Sequence, residues 1–168
     1  MGYTIKQTLR IEMGHRTWTQ NMLTSRGSHF YDGSAVVDKC ANIHGHTLFA
    51  SVTLEGDTLD DQYFLMDTDL LGGAFRPILD DLDHAFVIDR SDPLFPQLEP
   101  VLKTSNLKYH AVDFSPTFEA LVRYLHDRLQ RTLDEPGLKH GLRIKEMKLL
   151  GEQTVEATYS APAHGSTD

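Results

Sequence analysis

Two histidines separated by one residue, His44 and His46 in IHGHT, point to the same side of an extended strand. Both rings can therefore approach one ion, with Gly45 leaving room between them. A third ligand is needed, and His15 is the candidate: it ends another stretch with strand alternation, on its apolar side. Three histidines without a neighbouring carboxylate or second cysteine suit zinc better than harder ions, and three protein ligands leave the fourth position open, as in catalytic sites. The plainer reading is chance, since nine histidines in 168 residues readily produce one H-x-H pair.

Cys40, the only cysteine, lies four residues before His44 in KCANIHGH, so no intrachain disulfide is possible. Beside a metal its pKa would fall and the thiolate would be favoured; otherwise it is a small buried core residue. Asp83 and His84 are adjacent in LDDLDHAF, where the carboxylate can fix the imidazole tautomer and the ring can exchange protons near neutral pH. A surface histidine following a helix is the alternative. Cysteine, histidine and aspartate together also fit a thiol hydrolase, and spacing does not separate base from nucleophile. Glu152, in LLGEQT, is either a turn carboxylate or an acceptor for the paired N–H groups of a guanidine-like ring edge. Glu119 and Thr117, early in a helix, admit the same two readings, since the dipole favours a glutamate there without any ligand.

These residues must be held by recognisable elements. Leu9, Ile11 and Met13 alternate with Arg10 and Glu12, and Leu48, Ala50, Val52 and Leu54 lie opposite Ser51, Thr53 and Glu55 up to a turn at Gly56 and Asp57, which predicts two half-buried strands. Leu71, Phe75, Ile78 and Leu82 recur at helical spacing, with Gly72, Gly73 and Pro77 predicting a late start or a kink. Ser115 and Pro116 read as the start of a second helix with the stripe Phe118, Leu121, Val122, Leu125 and Leu129, stopped by Pro136 and Gly137. Two strands follow, over 142–150 and 154–159. The stretch 89–113, with three prolines and poor periodicity, reads as a long loop or insertion. Strands, helices and strands without regular alternation predict an α+β domain with helices on one face of an antiparallel sheet.

With 40% apolar and 24% charged residues the chain is of ordinary globular type, one domain over 1–160 with a flexible tail over 161–168. No run approaches the roughly 18 apolar residues of a membrane helix. The N-terminus lacks the apolar centre of a secretory signal, so a cytoplasmic location is expected, with no membrane partner. A net charge of −8 argues against nucleic acid as a partner, whereas a small anionic substrate could still be met by local cations; Arg16, Arg26 and Lys39 lie near the motifs.

Taken together, His15, KCANIHGH, Asp83-His84, SPTFE and Glu152 resemble, in type and order over most of the chain, the family of 6-pyruvoyl-tetrahydropterin and 6-carboxy-tetrahydropterin synthases. The most specific piece is Cys-x-x-x-His-x-His preceded by lysine. The resemblance implies Zn2+ on His15, His44 and His46, and Cys40 as the proton-abstracting base supported by Asp83 and His84. It further implies Glu152 as the anchor of the pterin ring and Thr117 as a second pterin contact, with Glu119 matching the family's glutamate. The implied fold is the tunnelling fold, a four-stranded antiparallel sheet with two helices on one face, assembled into barrels as a homo-oligomer, usually a hexamer with sites between subunits. The implied activity is that of a lyase converting 7,8-dihydroneopterin triphosphate to 6-carboxy-5,6,7,8-tetrahydropterin, with loss of triphosphate and acetaldehyde, in a queuosine or deazapurine pathway. The pyruvoyl branch and a non-catalytic zinc- or pterin-binding relative are the alternatives. Val87 and Ile88 replace the family's common Leu-Asn, so a difference in the pocket is expected there.

Overall fold

The period-two alternation becomes two long strands, β1 (Tyr3–His15) and β2 (His44–Gly56), paired antiparallel along their whole length, from Tyr3 opposite Gly56 to His15 opposite His44. The computed structural model describes residues 2–18, 39–135, 141–152 and 154–161. Arg26, the helix stop at Pro136 and Gly137, and the tail beyond Ala161 lie outside the described residues.

Two further strands, β5 (Arg143–Gly151) and β6 (Val155–Tyr159), complete the antiparallel sheet in the order β1-β2-β5-β6. The sheet does not stop at four strands. The short strands β3 (Ala85–Asp89) and β4 (Tyr109–Val112) extend it parallel to β1, giving the order β4-β3-β1-β2-β5-β6. Between them runs α2 (Phe95–Thr104), so the expected loop or insertion over 89–113 is in fact a strand end, a helix and another strand. Helix α2 has no buried residue, and this is why the sequence hid it: a helix without a core-facing stripe has no apolar period to read. Val87 and Ile88 are both fully buried within β3.

The first helix, α1 (Thr68–Asp80), starts at its first turn and not late, because the Asp67 side chain accepts the N–H of Asp69 as an N-cap. Pro77 is accommodated within it. The carbonyl four residues earlier belongs to the exposed Gly73, which has no neighbouring atoms within 4 Å of an added Cβ. The last helix, α3 (Phe118–Leu133), is capped by the Thr117 side chain, which accepts from Ala120 N at 3.3 Å; the cap is thus two residues later than Ser115. Leu71, Phe75 and Leu79 of α1 and Leu121, Leu125 and Leu129 of α3 bury against Ile11, Leu48, Ala50, Val52 and Met147 on one sheet face. Burying these side chains, worth about 1.5–3 kcal/mol each, holds the helices on that face. Among the described residues, no helix is long and apolar enough to cross a membrane.

Candidate metal centre

Pairing of β1 with β2 sets His15 opposite His44 and Met13 opposite His46, so the parity that puts Met13 and Leu48 in the core puts all three histidines on the same face, at its open end. Their ring centroids lie 4.6, 5.1 and 4.8 Å apart. One potential ligand atom from each lies within 4.8 Å of the others, a grouping that could hold a metal ion. Cys40 is not in that group.

Each ring has its outward nitrogen engaged. His15 Nδ1 is 2.6 Å from the carbonyl oxygen of Pro116, His44 Nδ1 is 2.8 Å from that of Asn42, and His46 Nδ1 is 3.0 Å from Glu152 Oε1. Carbonyl and carboxylate oxygens only accept, so each Nδ1 must donate, and in the neutral ring that leaves Nε2 with its lone pair. For His15 that Nε2 is buried with no hydrogen-bond partner. A buried acceptor with nothing to accept from is costly, and a cation at the centre of the three rings would satisfy it. The residues present therefore fit a three-histidine metal site. Burial, with His44 and His46 adding repulsion, pushes the His15 pKa down to about 4 against the opposing effect of its bond to Pro116. His15 is thus neutral at physiological pH, as a ligand must be. Phe118, at the start of α3, walls the site, stacked on His15 at 6.1 Å and edge-on to His46 at 5.2 Å.

At the same strand ends lies a groove of about 460 Å³, lined by Glu12, His46, Thr47, His84, Phe86 and Glu152, with Gly14 and Gly45 facing each other across the strand pair. Gly45 has the opposite parity to the two histidines, so the room it leaves belongs to this groove and not to the space between the rings. His84 lines the groove, and both it and Asp83 are tied to β1: the His84 N–H donates to the Glu12 carbonyl at 2.6 Å, and Asp83 Oδ1 accepts the Glu12 N–H at 2.8 Å. His84 Nδ1 donates to Asp83 Oδ1 at 3.0 Å, which fixes the ring's tautomer. Burial raises the Asp83 pKa, but the Glu12 amide, His84 and Arg76 outweigh it and hold the carboxyl below its usual range. His84 and Glu152 both have left-handed backbones, with φ of 55° and 49°, a strain that tends to collect at functional positions.

Cys40 sits in a single turn, Lys39–Ala41, tied to the end of β1 by the Thr17 N–H donating to its carbonyl at 2.8 Å. It is partly buried and does not line the groove. Thr117 caps α3 next to Pro116, and Glu119 is exposed in the first turn. Arg16 pairs through Nε at 2.9 Å with Asp92, which is buried.

Sequence reasoning did not find the supporting partners. The carbonyls of Asn42 and Pro116 carry no side-chain signal. Arg76, two helical turns before Asp83 and bonded to its Oδ2 at 2.8 Å, could have been found from that spacing, whereas Lys108, donating to the Asp83 carbonyl at 2.6 Å, comes from a distant segment.

A family profile described as 6-pyruvoyl tetrahydropterin synthase matches residues 4–162. A protein of Aquifex aeolicus named 6-carboxy-5,6,7,8-tetrahydropterin synthase is 37% identical over 160 residues, covering 95% of this chain and 98% of that protein. A Haemophilus influenzae protein of the same name is 33% identical over 107 residues, 61% of this chain and 74% of its own. Among solved structures, an uncharacterised Wolinella succinogenes protein aligns with a TM-score of 0.76 at 23% identity, over 96% of this chain and 99% of that one. The 6-pyruvoyl tetrahydropterin synthase of Caenorhabditis elegans aligns with a TM-score of 0.61 at 18% identity, over 96% and 97%. At these identities the two structures speak for the tunnelling fold alone.

Proposed function

The chain belongs to the 6-pyruvoyl tetrahydropterin synthase family, and from that premise we propose that it is a zinc-dependent pterin synthase of the carboxy branch. Its substrates are then 7,8-dihydroneopterin triphosphate and one water, which supplies the additional oxygen of the products, and its products 6-carboxy-5,6,7,8-tetrahydropterin, acetaldehyde and triphosphate, within a queuosine-type pathway in the cytoplasm. The observation that carries the reading is the convergence of three histidines with every Nδ1 committed as a donor, in a chain alignable nearly end to end with a carboxy synthase.

His15, His44 and His46 would hold the zinc, which supplies Lewis acidity toward the oxygens of the pterin side chain. Cys40, as thiolate, takes a carbon-bound proton. His84 exchanges a proton through Nε2 while Asp83 keeps its Nδ1 protonated. Glu152 accepts from the paired N–H groups of the pterin edge in the groove, with Thr117 and Glu119 as further contacts. Because Cys40 does not line the groove that holds His84, a neighbouring subunit completing the site would reconcile the two, and a homohexamer is the assembly proposed.

Product analysis tests the assignment. Zinc-loaded protein incubated with dihydroneopterin triphosphate should yield carboxy-tetrahydropterin and acetaldehyde by mass spectrometry, and chelator-treated protein should not. Pyruvoyl-tetrahydropterin would move the chain to the other branch, and unchanged substrate in both samples would point to a binding relative.

A further inference from the structure

Two of the three outward ring nitrogens are held by main-chain carbonyls, of Pro116 and Asn42. His46 alone is held by a side chain, and that side chain is a carboxylate from a different element. We propose that Glu152 is a positioning residue for the metal centre: through Oε1 it fixes the tautomer and orientation of His46 and makes its Nε2 a stronger ligand. The inference rests on reading the three histidines as a metal centre, and it adds a role to the substrate contact proposed above.

The backbone is arranged to deliver that carboxylate. Glu152 donates its N–H to the carbonyl of Thr47, the residue after His46, at 3.2 Å, and the turn closes with Thr154 N–H on the Gly151 carbonyl at 3.0 Å. Holding a non-glycine residue at φ 49° costs roughly 1–2 kcal/mol. Gly151 brings the turn close to the site, since a Cβ there would lie 2.3 Å from the Phe118 ring that walls His15 and His46. A negative charge hydrogen-bonded to a ligating imidazole raises its basicity, and removal of such a partner typically weakens metal affinity about 10–100-fold. The Glu152 side chain remains 58% exposed beside the groove, so holding His46 does not take it away from a substrate.

The test is zinc affinity by competition with a chromophoric chelator, for the parent protein, Glu152→Ala, Glu152→Gln and the surface control Glu135→Ala, together with urea unfolding of each metal-free protein. Glu152→Ala should bind zinc about 10–100-fold more weakly while its metal-free stability matches the parent's. Glu152→Gln keeps an oxygen that can accept from Nδ1 but no charge, and should lose less; Glu135→Ala should lose nothing. Parent-like zinc affinity in Glu152→Ala overturns the inference, as does a loss equalled by Glu135→Ala. A parent that binds no zinc overturns the metal-centre reading itself, so the two failures are told apart.

Discussion

At the scale of single residues, the site is defined by which nitrogen of each histidine is occupied. His15 shows the consequence most sharply. Its folded pKa of about 4 lies below the ordinary 6.5, so between those values the unfolded chain binds the proton more readily than the folded one. The stability this residue contributes is therefore complete above pH about 6.5, falls as pH drops, and is gone below about pH 4, a loss of up to about 3 kcal/mol in the metal-free protein. Urea unfolding at pH 7.5 and 4.5 should show a larger loss for the parent than for His15→Gln, and equal losses would contradict it. Cys40 belongs to the same scale. Cys40→Ala should reduce turnover of dihydroneopterin triphosphate about 100-fold or more while zinc content, measured by atomic emission, stays at the parent level. Undiminished turnover would remove Cys40 from its assigned role.

Elements position these residues by means the sequence showed only in part. The strand pair β1-β2 was legible because one buried face enforces strict alternation; α2 and β4 were not, because a helix without a buried stripe carries no period and three prolines imitate a loop. The start of α3 joins the two levels. Thr117 is at once its N-cap and a proposed pterin contact. Thr117→Ala should cost about 1 kcal/mol of stability, with Thr117→Ser restoring it, so a rise in KM persisting in the serine variant would separate binding from capping. Gly151→Ala, on β5, should cost about 1–3 kcal/mol because its Cβ must displace the Phe118 ring, and should weaken zinc binding with it. An alanine variant with the parent's urea midpoint would show that the helix end yields freely.

For the whole molecule, the open sheet face, half-polar with Lys6, Thr8, Ser51, Lys148 and Glu156 around Phe49 and Leu150, leaves two edge strands, β4 and β6, unpaired within the described chain. Sedimentation should find a homo-oligomer, hexameric in the reading proposed, and a monomer at micromolar concentration would sink the idea of sites shared between subunits. By itself the sequence determined what local periodicity and residue chemistry can encode: the long strand pair, the two core helices and the choice of His15, His44 and His46 as a possible ligand set. Only the tertiary structure decided what depends on contacts between distant segments. The antiparallel register brings His15, about thirty residues away in the chain, against His44; Glu152 meets His46 across 106 residues; and the Pro116 carbonyl meets His15 across 101. Such partners leave no local signature, because a main-chain carbonyl or a turn carboxylate acquires its role only when folding places it within hydrogen-bonding distance.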